Sequence, residues 1–146
     1  MSVFGAMDVS ASGMTAQQVR TDIISQNIAN VNTTRDATGK AYKRKTVVFE
    51  EKSYPTFDES LSFATGHTGK GVKVTKIAED QSDGRMVYDP SHPDADENGY
   101  VTYPNVDTVT EMTNLIDATR AYEANVTVLN STKGMALKAL DIGSGS

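Results

Sequence analysis

Residues 108–140 repeat at a spacing that a long helix satisfies and a strand does not. Thr108, Met112, Leu115, Thr119, Tyr122, Val126, Leu129, Lys133, Ala136 and Leu140 follow one another in strict 4-3 steps, and seven of the ten are apolar. That period lines one face of an α-helix and, sustained so long, marks a coiled-coil type of seam. Residues 106–142 contain no proline and one glycine, Gly134, so little interrupts the pattern. At about 1.5 Å per residue such a helix is roughly 50 Å long, too long for the interior of a 146-residue globule. A second stripe of Ala121, Ala124, Val128, Ser131, Met135 and Ala139 runs beside the first, and its small side chains let a further neighbour approach. Acidic residues early (Asp107, Glu111, Asp117) and lysines late (Lys133, Lys138) complement the helix dipole.

The opposite end has a weaker version of the same pattern. Phe4, Met7, Ala11 and Met14 keep helical spacing, and Ile24, Ile28 and Val31 resume it after a polar interval. Ser10, Ser12, Gly13 and Thr15 lower the intrinsic helix propensity, Gly by about 1 kcal/mol relative to Ala. Residues 1–34 hold only three charged side chains, Asp8, Arg20 and Asp22. A helix so poor in charge is either buried on most sides or disordered until something buries it.

All four prolines and most of the charge and glycine fall within residues 35–105. Lys45–Phe49, Gly71–Ile77, Arg85–Tyr88 and Tyr100–Tyr103 are β-branched or aromatic runs bounded by turn formers, and read as hairpins of a small sheet. Segments 35–45 and 52–68 read as loops. The fold expected is therefore α+β: long N- and C-terminal helices pairing as an antiparallel coiled-coil-like unit, with a small central β-hairpin-rich region. The corresponding divisions are 1–34, 35–105, 106–142 and a flexible tail at 143–146.

Composition closes several functional classes. The chain has no cysteine, which removes disulfide scaffolds and thiol chemistry. A net charge of −5 argues against general binding of nucleic acid. With a mean hydropathy of −0.41 and no apolar run near about 18 residues, no membrane-inserted helix is expected. Met1–Asp8 has neither a basic stretch nor a continuous apolar core, so a cleavable signal peptide is not expected either.

Candidate chemistry is sparse. Asp94, Asp96, Asn98 and Gly99 match four loop positions of an EF-hand, which would make a calcium-responsive module. However, Asn105 stands where the bidentate Glu belongs, and the flanks read as strand and proline. An acidic turn, its carboxylates capping backbone N–H groups and Gly99 taking positive φ, is the better reading. Thr65–Gly71 is similar to a phosphate loop but lacks its first glycine and its hydroxyl after Lys70. His67 and His92 lie 25 residues apart in loop segments, with nothing to bring them together. No catalytic residue, cofactor site or metal site is assigned, and the chain is not expected to be an enzyme.

Two features keep more than one reading. Lys40, Lys43, Arg44 and Lys45 form a basic cluster, read as a solvated strand edge or as contact with an acidic neighbour, with Tyr42 and Val47 anchoring the segment. In the run Asn27–Thr33, Asn27, Asn30 and Asn32 supply amides that both donate and accept. They form either a frayed helix end or, together with Asn125, polar contacts that fix register between packed helices.

Ser12-Gly13, Ala16-Gln17, Arg20, Asp22 and Asn27–Thr33 resemble the N-terminal signature of bacterial flagellar axial proteins, which form rod, hook and hook-associated structures. Asn114–Asn125, Val128–Asn130 and Ala139–Asp141 resemble the matching C-terminal signature. Tyr88–Asp96 and Gly99–Val106 are similar to proximal rod proteins of the C type. The insertion Thr34–Thr38 before Gly39–Tyr42 fits that type, while residues 50–70 carry no resemblance.

The resemblance implies a structural rod subunit, self-assembling through its terminal helices to transmit torque and to line a hollow export channel. It implies as partners further copies, other rod proteins, a membrane-ring adaptor, distal rod subunits and the type III export apparatus. It also implies a basal-body, periplasmic location reached without signal cleavage.

On that reading Met7, Met14, Ile24, Ile28, Met112, Leu115, Tyr122, Val126, Leu129 and Leu140 pack between subunits. Burial is then gained mainly on assembly, and the ends of an isolated subunit are loosely helical or disordered. The alternative from another class is a soluble helical adaptor or chaperone-like binding module.

Overall fold

The computed structural model describes residues 3–37, 39–52 and 71–145. Its elements run α1 (Val3–Ala29), β1 (Lys45–Glu51), β2 (Val72–Glu79), β3 (Met86–Tyr88), β4 (Tyr100–Thr102) and α2 (Thr108–Ser144). The expected α+β class and all four expected strands are present, and both helices are continuous in the single chain. The loop at 53–68, His67 and most of the phosphate-loop-like segment lie outside the described residues.

α1 compensates locally for its weak propensity. Ser10, Thr15 and Ser25 each donate a side-chain hydrogen bond to the carbonyl four residues back, on Ala6, Ala11 and Thr21. Their hydroxyls are therefore satisfied without any partner outside the helix. Asn30 ends the helix: its N–H reaches the carbonyls of Gln26 and Asn27, and its amide donates to Gln26 O at 2.8 Å. Thr33 Oγ1 then donates to Asn30 Oδ1. α2 begins on Asp107, whose carboxylate accepts from Val109 N and Thr110 Oγ1 as an N-cap.

The chain folds as two compact units, each drawing on both helices and on the middle. The first comprises Met1–Val19, Phe49–Thr75 and Ala118–Ser146. Here Gly13 faces Asn125: a Cβ built on Gly13 would sit 2.8 Å from Asn125 Oδ1. The Asn125 amide is itself held by donation to Ala121 O. Close helix approach at this point depends on the missing side chain. Ser12 Oγ donates to Val9 O and accepts from Val72 N, so one hydroxyl joins α1 to the start of β2.

The second unit comprises Arg20–Val48 and Lys76–Asp117. β1 and β2 pair, and Asp80 N donates to Arg44 O beyond their ends. β3 and β4 pair antiparallel in the register Met86↔Thr102, Val87↔Val101, Tyr88↔Tyr100. Period-two alternation turns Val101 fully inward and leaves Met86, Tyr88 and Tyr100 on the outer face. The Tyr88 and Tyr100 rings meet edge-on at 5.3 Å. The Asp94–Gly99 segment is the acidic turn: Asp96 Oδ1 accepts from Asn98 N and Tyr100 N, and Gly99 has φ +80. His92 belongs to the same turn, its Nδ1 accepting from Asp94 N.

Among the described residues few apolar side chains are buried: Ala16, Ile23, Ile24, Val101, Pro104 and Ala118. The inward face of α2 is Glu111, Leu115, Ala118, Tyr122, Asn125, Leu129, Thr132 and Ala136, buried or half-buried and again in 4-3 steps. It shares Leu115, Tyr122, Leu129 and Ala136 with the apolar stripe. At the alternate positions, however, Glu111, Ala118, Asn125 and Thr132 replace Met112, Thr119, Val126 and Lys133. The inward face is turned by a fraction of a residue step from the expected seam, and the α1 residues that meet it at Asn125 and Glu111 are the small Gly13 and the polar Asn27.

Gly13→Leu should destabilise the chain by about 1–3 kcal/mol through overpacking. Gly13→Ala should be nearly neutral, because its gain in helix propensity offsets a displacement of the Asn125 amide. Urea unfolding followed by helicity checks both.

Candidate assembly interface and its polar lock

Asn27 and Glu111 are the largest polar side chains to be completely buried, and they touch. Asn27 Nδ2 donates to Glu111 Oε2 at 2.8 Å and to Lys45 O at 2.8 Å. Asn27 Oδ1 accepts from Lys45 N at 2.9 Å and from Tyr42 Oη at 2.9 Å. All four hydrogen-bonding positions of the amide are thereby used, which fixes its orientation.

Glu111 Oε1 accepts from Arg44 Nε at 2.8 Å and from Nη2 at 2.7 Å. Arg44 Nη1 also lies 3.9 Å from Asp80 Oδ2. One amide, one carboxylate and one guanidinium thus join the last turn of α1, the start of β1 and the first turn of α2. A buried charge is tolerated only when paired and hydrogen-bonded, and Glu111 is both.

The electrostatics around the lock follow from this geometry. Burial, together with the negative charges of Glu111 and Glu79, pushes the Tyr42 phenol above its ordinary range. Hydrogen bonds from Ser82 hold Asp80 below the usual carboxylate range, as Thr110 and Val109 do for Asp107. Lys45 lies 5.6 Å from the Tyr42 ring centre. Lys43 donates to Gln81 Oε1 at the edge of an open polar cavity of about 480 Å³, also bounded by Lys40, Asp83 and Asp94. The basic cluster is therefore split: Arg44 points inward and the lysines stay near the surface. Among the described residues no group of three His, Cys, Asp or Glu side chains is placed to hold a metal.

The structure sorts the residues expected at subunit contacts. Met112 and Leu140 are exposed; Met7, Met14, Ile28, Leu115, Tyr122, Val126 and Leu129 are half-buried. Ile24 is buried, at 5% exposed. Of the four asparagines, Asn27 and Asn125 contact residues of this same chain, Asn30 ends α1, and Asn32 is exposed. The sequence marks Arg44 as a member of a basic cluster, with an acidic contact as one of two readings, but does not reveal Glu111 as that contact. Glu111 reads from the sequence as a helix-dipole residue, and its heptad phase with Ala118, Asn125 and Thr132 is the signal that could have found it.

Large apolar side chains remain outside this lock. Phe4 is 76% exposed and Ile142 80%. Val109, Met112, Ile116, Val128, Met135, Leu137 and Leu140 are also exposed along α2. No helix among the described residues is long and apolar enough to cross a membrane. All but Phe4 lie on one long helix, and such exposed apolar patches mark interaction surfaces.

Asn27→Ala should cost about 2–4 kcal/mol, since it strips partners from Lys45, Tyr42 and Glu111 in a buried site. Urea unfolding measures it. The raised Tyr42 pKa means that its contribution to stability is fully present below about pH 10 and lost as pH rises through the folded-state value. In a spectrophotometric titration, Tyr42→Phe should remove an ionisation step that lies above the ordinary tyrosine range.

Comparison with known proteins agrees at both ends of the chain and along its length. The family model "Flagella basal body rod protein" matches residues 7–35. The model "Flagellar basal body rod FlgEFG protein C-terminal" matches residues 97–142. The flagellar basal-body rod protein FlgC of Bacillus subtilis (strain 168) is 50% identical over 149 residues, covering 98% of this chain and 99% of the relative. FlgC of Borreliella burgdorferi is 42% identical over 152 residues, covering 99% of this chain and all (100%) of the relative. FlgC of Escherichia coli O6:H1 is 41% identical over 143 residues, covering 98% and 99%. A near-complete match in length, with most of each terminal helix inside a family-matched segment, means that the chain belongs to the flagellar basal-body rod protein FlgC family.

Proposed function

We propose that the chain is a structural subunit of the proximal rod, the part of the flagellar basal body that acts as a drive shaft. In this reading it packs through its terminal helices against further copies and other rod proteins, a membrane-ring adaptor and distal rod subunits included. The assembled helices line a hollow channel and carry torque. The subunit reaches its periplasmic place through the flagellar type III export apparatus, without cleavage of a signal peptide.

The observation that carries this reading is the distribution of side chains on α2. Its inward positions hold Glu111, Ala118, Asn125 and Thr132, while Val109, Met112, Ile116, Val128, Met135, Leu137 and Leu140 remain exposed. A monomer that functioned alone would place the larger apolar residues inward, where burial is worth about 25 cal/mol per Å². Repeated packing in an open helical array covers exposed stripes on more than one side of a helix; a closed pair covers one. Met112 and Leu140 make the contact from exposed positions. Met7, Met14, Ile28, Leu115, Tyr122, Val126 and Leu129 contribute from the edges of the seam, and Asn32 adds a polar contact beyond α1.

Met112→Asp and Leu140→Asp should leave helicity and urea stability within about 0.5 kcal/mol of the parent, as exposed substitutions do. Each should abolish rod assembly and motility in a strain lacking its own FlgC. Leu129→Asp, in the seam, should lose the fold as well as assembly. Normal motility in both surface variants would overturn the assignment of these faces.

A further inference from the structure

The basic cluster of the central segment plays no part in the assembly reading, yet one member of it makes the closest ionic contact to a buried charge. Arg44 does not lie on either helix. It stands just before β1, and its backbone is placed by the central region: Arg44 N donates to Asn105 Oδ1 at 2.8 Å, and Arg44 O accepts from Asp80 N at 2.8 Å. Asn105 in turn donates from Nδ2 to Asp80 O, Ser82 O and Ser82 Oγ. The guanidinium reaches Glu111 only when residues 80–82 and 105 have already come together.

Glu111 sits on the face of α2 that meets Asn27 of α1, with none of its surface left to water. If α1 and α2 closed here without Arg44, they would bury an ionised carboxylate whose sole remaining hydrogen-bonding partner is the Asn27 amide. Removing one partner from a buried pair is far more damaging than never having had the pair. We propose that Arg44 is a positioning residue that makes pairing of the last turns of α1 with the first turns of α2 conditional on folding of the central strands. Through it, the paired helical surface forms only on a chain whose middle is complete. This inference concerns the order of events inside one subunit and stands apart from which neighbours the subunit meets.

The test is a cycle of full-length variants, Arg44→Met, Glu111→Met and the double variant, followed by amide hydrogen exchange in residues 20–29 and 108–117. Arg44→Met should lower protection there by about 100-fold or more, because it strands the carboxylate. Glu111→Met should keep most of the protection, and the double variant should restore what Arg44→Met loses. Arg44→Lys, which keeps the charge but not the forked donor, should fall between the parent and Arg44→Met.

A residue that mattered only for packing would leave the double variant as damaged as Arg44→Met. That result overturns the proposal, as does full protection in Arg44→Met. Should Arg44→Met fail to fold at all, the double variant still decides: recovery of the fold supports the proposal and continued failure refutes it.

Discussion

A carboxylate closed off from water needs both a cation and a hydrogen-bond donor, and Glu111 draws these from different parts of the chain. Arg44 comes from the loop before β1 and Asn27 from the last turn of α1. Neither contact is local in sequence, so the site exists only when three segments meet in one arrangement. A sliding or rotated helix pair would leave the carboxylate, the amide or the guanidinium unsatisfied. Apolar contacts penalise such slips weakly, whereas buried polar groups penalise them strongly. With Ala16, Ile23, Ile24, Val101, Pro104 and Ala118 as the buried apolar side chains among the described residues, the polar lock carries much of the specificity.

Gly13 and Asn125 form a second keyed contact, of a different chemical kind. There, definition comes from shape: one residue lacks a side chain and the other fills the space with a held amide. Each keyed contact lies within one of the two compact units and joins α1 to α2 there. Small and polar residues at these positions weaken burial per residue and sharpen alignment.

Much of this fold was legible before any coordinates. The 4-3 spacing after Thr108, the absence of proline there and the clustered turn residues between 35 and 105 supplied the helices and strands, because those signals are local. The Asp94–Gly99 turn was equally readable, since Asp96 caps backbone groups within four residues of itself. The face that α2 turns inward was not readable. Periodicity identifies an apolar stripe but cannot say whether the chain's own α1 or a neighbour covers it. Where α1 meets α2, its residues are the small Gly13 opposite Asn125 and the polar Asn27 opposite Glu111, and neither is apolar enough to betray the pairing in a sequence pattern. The contact between Arg44 and Glu111 stayed hidden for a related reason: two charges 67 residues apart look solvated until the fold brings them together.

The same division of labour explains how one subunit can be both well defined and adhesive. If the large apolar residues of α2 faced α1, the pair would be more stable alone and would offer its neighbours a polar surface. Instead the intramolecular contact uses polar and small groups, which specify alignment with little apolar area. Val109, Met112, Ile116, Val128, Met135, Leu137 and Leu140 are left for contacts between chains. Hydrophobic association is non-directional, so by itself it does not set how neighbouring helices align. A lock that fixes each helix pair internally presents the apolar stripes in one defined geometry, and an ordered helical array can be built from repeated copies of that geometry.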